Sequence, residues 1–125
     1  MKIQKFEDIE AWKKARELTQ SIYKVSSKDK FMKDWTLRDQ IRRASISIMS
    51  NIAEGFDSGF TSEFARFLNI SRRSASEVQS QLYVALDQLY ISTAEFNDLY
   101  GETEEVRKMI TGFIKYLRGY KPKTR

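Results

Sequence analysis

Apolar residues return along this chain at alternating steps of three and four in four separate stretches, the spacing that places side chains on one face of an α-helix. The first stretch covers residues 8–26, with Trp12, Ala15, Leu18 and Ile22 on one face and lysines and glutamates elsewhere. Asp8 is the expected amino cap, and the polar run 26–30 is the expected connection. The second stretch, 34–54, repeats Leu37, Ile41, Ala44, Ile48 and Ile52. Gly55 stands where a left-handed carboxyl cap is expected, and residues 56–60 follow as a loop.

The third stretch is the longest, from Thr61 or Ser62 to Tyr90, with a stripe of Phe64, Phe67, Leu68, Ser71, Ala75, Val78, Leu82, Ala85, Leu86 and Leu89. At 1.5 Å per residue it would span roughly 40 Å. Ser92 followed by Glu95 has the form of a capping box and opens a fourth helix, whose stripe is Phe96, Leu99, Val106, Ile110, Phe113, Ile114 and Leu117. Gly101 is a weak point within it, costing about 1 kcal/mol relative to Ala. Short connections between long amphipathic helices favour antiparallel neighbours. The expectation is an all-α, antiparallel up-down-up-down four-helix bundle, one domain over residues 1–125 with a basic tail at 118–125.

Composition narrows the chemistry. Apolar residues are 41% and charged residues 31%, the balance of a folded, well-charged protein. No run approaches the roughly 18 to 20 apolar residues of a membrane span. The first ten residues lack the apolar run of a signal peptide, so no membrane association and a cytoplasmic location are expected. There is no cysteine and no histidine, which removes disulfides, thiolate nucleophiles, imidazole bases and nearly all zinc sites. No cofactor, no metal and no catalysis are expected. Carboxylate chemistry is the exception that composition leaves open, with Glu54, Glu63 and Glu77 as its candidates.

The net charge of +5 favours polyanionic partners, although a small soluble domain carries a charge of that size for solubility alone. The charge is unevenly spread. Residues 95–105 hold five acids and no base, whereas residues 115–125 hold five bases and no acid. Lys115, Arg118, Lys121, Lys123 and Arg125, with Tyr116 and Tyr120 between them, suit a phosphate backbone with a stacked base. A frayed, solvated terminus has the same composition.

The second helix carries more apolar surface than one core requires. Ile46, Met49 and Ala53 lie far around from its main stripe, with Arg38 and Arg42 on the same side. Such a face points to burial against another subunit, or to a wide core closed by Trp35 or the loops. On the third helix Arg66, Ile70 and Arg73 share the face opposite the stripe, suited to an interface or to phosphate. Arg73 could equally form an ion pair with Glu77 one turn on. Ser47, Ser50, Asn51 and Glu54 read as a packing and capping group, with a hydrogen-bond network or an oxygen-ligand metal site as the lesser alternative.

One further pattern involves the order of the residues themselves. Phe6, Trp12, Ala15, Leu18, Ile22 and Tyr23 precede the run Gln40-Ile41-Arg42-Arg43-Ala44-Ser45 and then Ser47-Ile48. Asn51-Ile52-Ala53-Glu54-Gly55 follows, then Glu63-Phe64, Phe67-Leu68, Ser74, Glu77 and Gln81-Leu82. Together these resemble the four-helix-bundle proteins encoded in intervening sequences of 23S rRNA genes, over nearly the whole chain. That family is in turn similar to the accessory variability proteins of diversity-generating retroelements, basic pentameric barrels that bind nucleic acid and a reverse transcriptase. The resemblance implies a homopentamer, RNA or DNA as ligand, a reverse transcriptase as a further partner, and Arg42, Arg43, Arg72 and Arg73 as the carried-over basic residues.

The reading that joins these strands is a non-catalytic homo-oligomer that binds RNA or DNA through phosphates. Its expected contacts are Arg42, Arg43, Arg66, Arg72, Arg73, Lys115, Arg118, Lys121, Lys123 and Arg125, and its expected subunit contacts are Arg38, Arg42, Ile46, Met49 and Ala53. The rival is an oligomeric interaction scaffold without nucleic-acid affinity.

Overall fold

A computed structural model describes residues 3–119, and every regular element in them is helical. One turn of 3-10 helix (Phe6–Asp8) leads into α1 (Glu10–Ser26), α2 (Asp29–Lys33), α3 (Trp35–Asp57), α4 (Ser62–Asp87) and α5 (Thr93–Gly119). The four predicted long helices are present. The connection after α1 also holds a helix, α2, whose Phe31 is buried and stacks on Tyr90 at 5.3 Å. A single turn anchored by one side chain has no repeat for a periodicity argument to detect.

Several ends differ from expectation for local reasons. The Asp8 carboxylate accepts from the Gln4 and Lys5 amides at 3.0 and 3.2 Å, which closes the 3-10 turn and leaves Ile9 at the α1 cap position. α3 does not stop at Gly55 but continues to Asp57. A Cβ at Gly55 would lie 2.7 Å from Phe64 Cδ1 and 2.9 Å from Phe67 Cβ, so this glycine serves the close approach of α3 and α4. The left-handed turn falls instead at Gly59, with φ +88°.

α4 ends at Asp87, short of Tyr90. Leu89 takes φ +64°, with Leu89 N donating to Leu86 O and Tyr90 N to Ala85 O, the paired bonds of a Schellman ending. Its side chain is therefore 87% exposed and leaves the stripe it was expected to continue. The capping box opening α5 forms as expected, with Ser92 N donating to Glu95 Oε1 (2.8 Å) and Glu95 N to Ser92 Oγ (3.0 Å). Asp34 caps α3 through Leu37 N at 3.1 Å and accepts the Tyr90 hydroxyl at 2.9 Å, joining the start of α3 to the turn after α4.

The stripes meet in one core containing Leu18, Ile22, Ile41, Ile48, Leu68 and Ile110. α3 lies against α1 and α4, and α5 against α4 and α1. Contacts run in opposite order along α3 and α4: Ser47 meets Ser74 and Ile48 meets Ser71, while Gly55 approaches Phe64. Buried hydroxyls find carbonyls, Ser71 Oγ donating across the α3–α4 seam to Ile48 O at 2.7 Å and Thr103 Oγ1 donating one turn back within α5 to Leu99 O at 2.7 Å, so their burial leaves no unmet donor. Ser47, Ser74 and Asn51 form a similar seam, with Asn51 Nδ2 donating to Ser47 O at 2.9 Å.

Candidate nucleic-acid interface

The candidate basic side chains differ in use. Arg38 and Arg42 are used inside the fold. Arg42 Nε donates to Ser26 Oγ at 2.8 Å, Nη2 to Ser27 Oγ at 3.0 Å, and the guanidinium lies 4.4 Å from the Tyr23 ring centroid. Both serines pass hydrogen bonds on to the Tyr23 carbonyl, so Arg42 places positive charge at the α1 carboxyl end, where the helix dipole favours it. Arg38 bonds Asp39 Oδ1 at 2.9 Å and the Met32 carbonyl at 3.0 Å, tying α2 to α3.

Others point outward. Arg43, Arg73, Lys115 and Arg118 are exposed, and none has a carboxylate in ion-pair reach among the described residues. The Arg73 to Glu77 pair does not form. Arg72 donates to Asn69 Oδ1 at 2.6 Å. Arg66 pairs with Glu63 at 2.5 Å and lies 4.9 Å from the Phe67 ring centroid. Their hydrogen bond lowers the Glu63 carboxyl below its usual range and raises the Arg66 guanidinium. Lys121, Lys123 and Arg125 lie outside the described residues.

Arg66 and Arg118, distant in sequence, line one open cleft of about 540 Å³ between the start of α4 and the end of α5. Phe60, Leu117 and Ala65 supply apolar wall, and Thr61, Ser62 and Asn69 supply polar groups. Phe60 belongs to an aromatic cluster in which Phe64, Phe113 and Tyr116 meet it edge-on.

A second surface runs along α1 and α3. Ile46 is 41% exposed, Met49 packs partly into the core, and Ala53 is half-buried. Trp35 is exposed and closes nothing. Thr19 Oγ1 reaches Ser45 O at 3.3 Å and Met49 Sδ at 3.6 Å, so α1 borders the same face. Exposed Tyr23 and half-buried Trp12 belong to it, with Arg16 6.0 Å from the Trp12 ring.

Comparison with known proteins places these features in a family. The model described as 23S rRNA-intervening sequence protein matches residues 7–112. The chain belongs to this family. It is also similar to a solved protein of unknown function from the S23 ribosomal protein family of Bacteroides thetaiotaomicron, at 25% identity and a TM-score of 0.76, with 84% of this chain and 98% of that chain covered. No curated protein matches.

The sequence names the basic residue types without separating internal Arg42 from exposed Arg43 and Arg73 by use, and it gives no sign of two groupings. The α1 half of the second surface was hidden because Trp12 repeats in register with the core stripe. That Arg66 and Arg118 line one cleft depends on the start of α4 lying beside the end of α5 and has no linear signature. The three candidate carboxylates do not gather: Glu63 and Glu77 stand about 21 Å apart along one helix axis at 1.5 Å per residue.

Proposed function

We propose that this family member is a non-catalytic, homo-oligomeric nucleic-acid-binding protein of the cytoplasm, built as an antiparallel up-down-up-down four-helix bundle. The observation that carries the reading is that four of the candidate bases, Arg43, Arg73, Lys115 and Arg118, are exposed and left without carboxylate partners among the described residues. Arginines held for stability find partners, as Arg38 and Arg42 do. Unpaired ones keep their forks for external phosphate. The reversed order of contacts between α3 and α4 supports the topology, and the absence of histidine and cysteine from the sequence supports the non-catalytic reading.

Assembly is supported by the α1–α3 surface, where Trp12, Tyr23, Ile46 and Arg16 bring together the aromatic, apolar and arginine side chains that interfaces favour. A second copy of the chain is the proposed occupant, in the pentamer that the retroelement likeness implies. That likeness also makes a reverse transcriptase a proposed partner.

The test is binding of a short structured RNA and a matched DNA to the purified protein at two salt concentrations. Affinity is expected to fall steeply with salt, because each phosphate neutralised releases counterion, and to drop in the double variant Arg43→Glu/Arg73→Glu. Absence of binding at low salt would leave the oligomeric scaffold as the function.

A further inference from the structure

We propose that the cleft between the start of α4 and the end of α5 is a subsite for an unpaired nucleotide of a single-stranded nucleic acid. Its phosphate lies between Arg66 and Arg118, and its base against Phe60 and Leu117. The inference rests on the nucleic-acid reading above and adds where, and in what form, the ligand enters.

Three observations combine. Arg66 and Arg118, carried on different helices, both line one hollow, and planar forks of this kind match phosphate oxygens bidentately once they turn to a ligand. The hollow, about 540 Å³, is of the size that encloses a small ligand, roughly 300 to 1,000 Å³. Beside the charges stands an apolar wall, which phosphate recognition alone does not need and which a base face does. A duplex keeps its base faces stacked inside and presents only base edges, sugars and phosphates, so a base face can meet the wall only from an unpaired nucleotide.

Glu63 sets the threshold of the site. Its carboxylate occupies Arg66 at 2.5 Å, but both side chains are about half exposed, and an ion pair so placed is weak enough for a phosphate to displace. Removing that competitor without removing the arginine should therefore improve binding.

Fluorescence anisotropy with one short labelled oligonucleotide, single-stranded or annealed to its complement, tests the assignment at low salt. Arg66→Ala/Arg118→Ala should weaken single-strand binding about tenfold or more, from the loss of phosphate contact and base placement, and change duplex binding by no more than about twofold. Glu63→Gln should tighten single-strand binding a few-fold. Circular dichroism confirms that each variant folds. Equal losses on both ligands, or no loss on either, would overturn the subsite while leaving the nucleic-acid reading intact. A wild-type protein that binds neither ligand would remove that reading and the subsite with it.

Discussion

Glu102 is a carboxyl set in the seam between α1 and α5. Burial raises it above the ordinary value of 4.5, the carboxylates of Glu17 and Asp98 add to the rise, and the Ser21 hydroxyl and Lys14 oppose it. A carboxyl whose folded value is raised binds its proton more tightly in the native state than in the unfolded chain. Stability from this residue is therefore present at low pH and lost as pH climbs from 4.5 through the folded value. Glu104 acts in the opposite sense, since hydrogen bonds from Gln79 and Arg107 lower it, and its contribution is lost on acidification. Replacing Glu102 with Gln removes the charge that the seam disfavours. Thermal melts should show Glu102→Gln with a higher Tm than wild type at pH 7, the gap closing at pH 3, where both side chains are neutral. A gap that persists unchanged at low pH would assign the effect to packing.

Helices carry the next level, and two glycines separate propensity from packing. Gly101 lies on the exposed side of α5 with no atom within 4 Å of an added Cβ, so Gly101→Ala should stabilise by up to about 1 kcal/mol. Gly55 also sits within a helix, yet its Cβ would enter the Phe64 ring and the Phe67 methylene. Gly55→Ala should destabilise by about 1 to 3 kcal/mol despite the gain in propensity. Urea denaturation of the pair reads both signs, and a stabilising Gly55→Ala would mean that α4 can yield.

The same contrast explains what was legible beforehand. Stripes such as Leu37 to Ile52 announce a helix because each residue repeats the evidence of the one before. Ends are set by single contacts: Gly55 by an aromatic ring on another helix, Asp8 by two local amides, Leu89 by a left-handed turn where glycine is usual. The Ser92 to Glu95 box was readable because its two partners lie three residues apart. At the candidate site, residue types were legible and alliances were not. Helical spacing puts Arg42 and Arg43 on different faces, but nothing in the order of residues shows that Arg42 bonds Ser26 and Ser27 while Arg43 extends outward.

Across the whole molecule, charge and apolar surface divide the faces. Lys28 approaches Glu95 near the start of α5, and Phe60 approaches Tyr116 near its end, so α5 runs from its acidic half to its basic half along the molecule. The basic end holds Arg66, Lys115 and Arg118, while the α1–α3 side carries Trp12, Tyr23 and Ile46. If nucleic acid enters at the basic end and a second copy packs on the α1–α3 side, the Arg66 and Arg118 cleft and the assembly surface can each be disabled alone. Ile46 is the residue to change, because at 41% exposure it contributes little to the monomer's own core. A carboxylate there meets water in a free subunit, but an unpaired charge closed inside an interface costs several kcal/mol. Ile46→Glu should therefore keep the wild-type melting temperature of a single subunit while light scattering falls from the assembled mass to that of a monomer. Met49→Ala is a poorer probe, since Met49 packs against the core and its loss would weaken the subunit as well. An Ile46→Glu protein that keeps the wild-type oligomeric mass would move the interface off the α1–α3 surface, and a wild type already at monomer mass would leave that surface for a different partner.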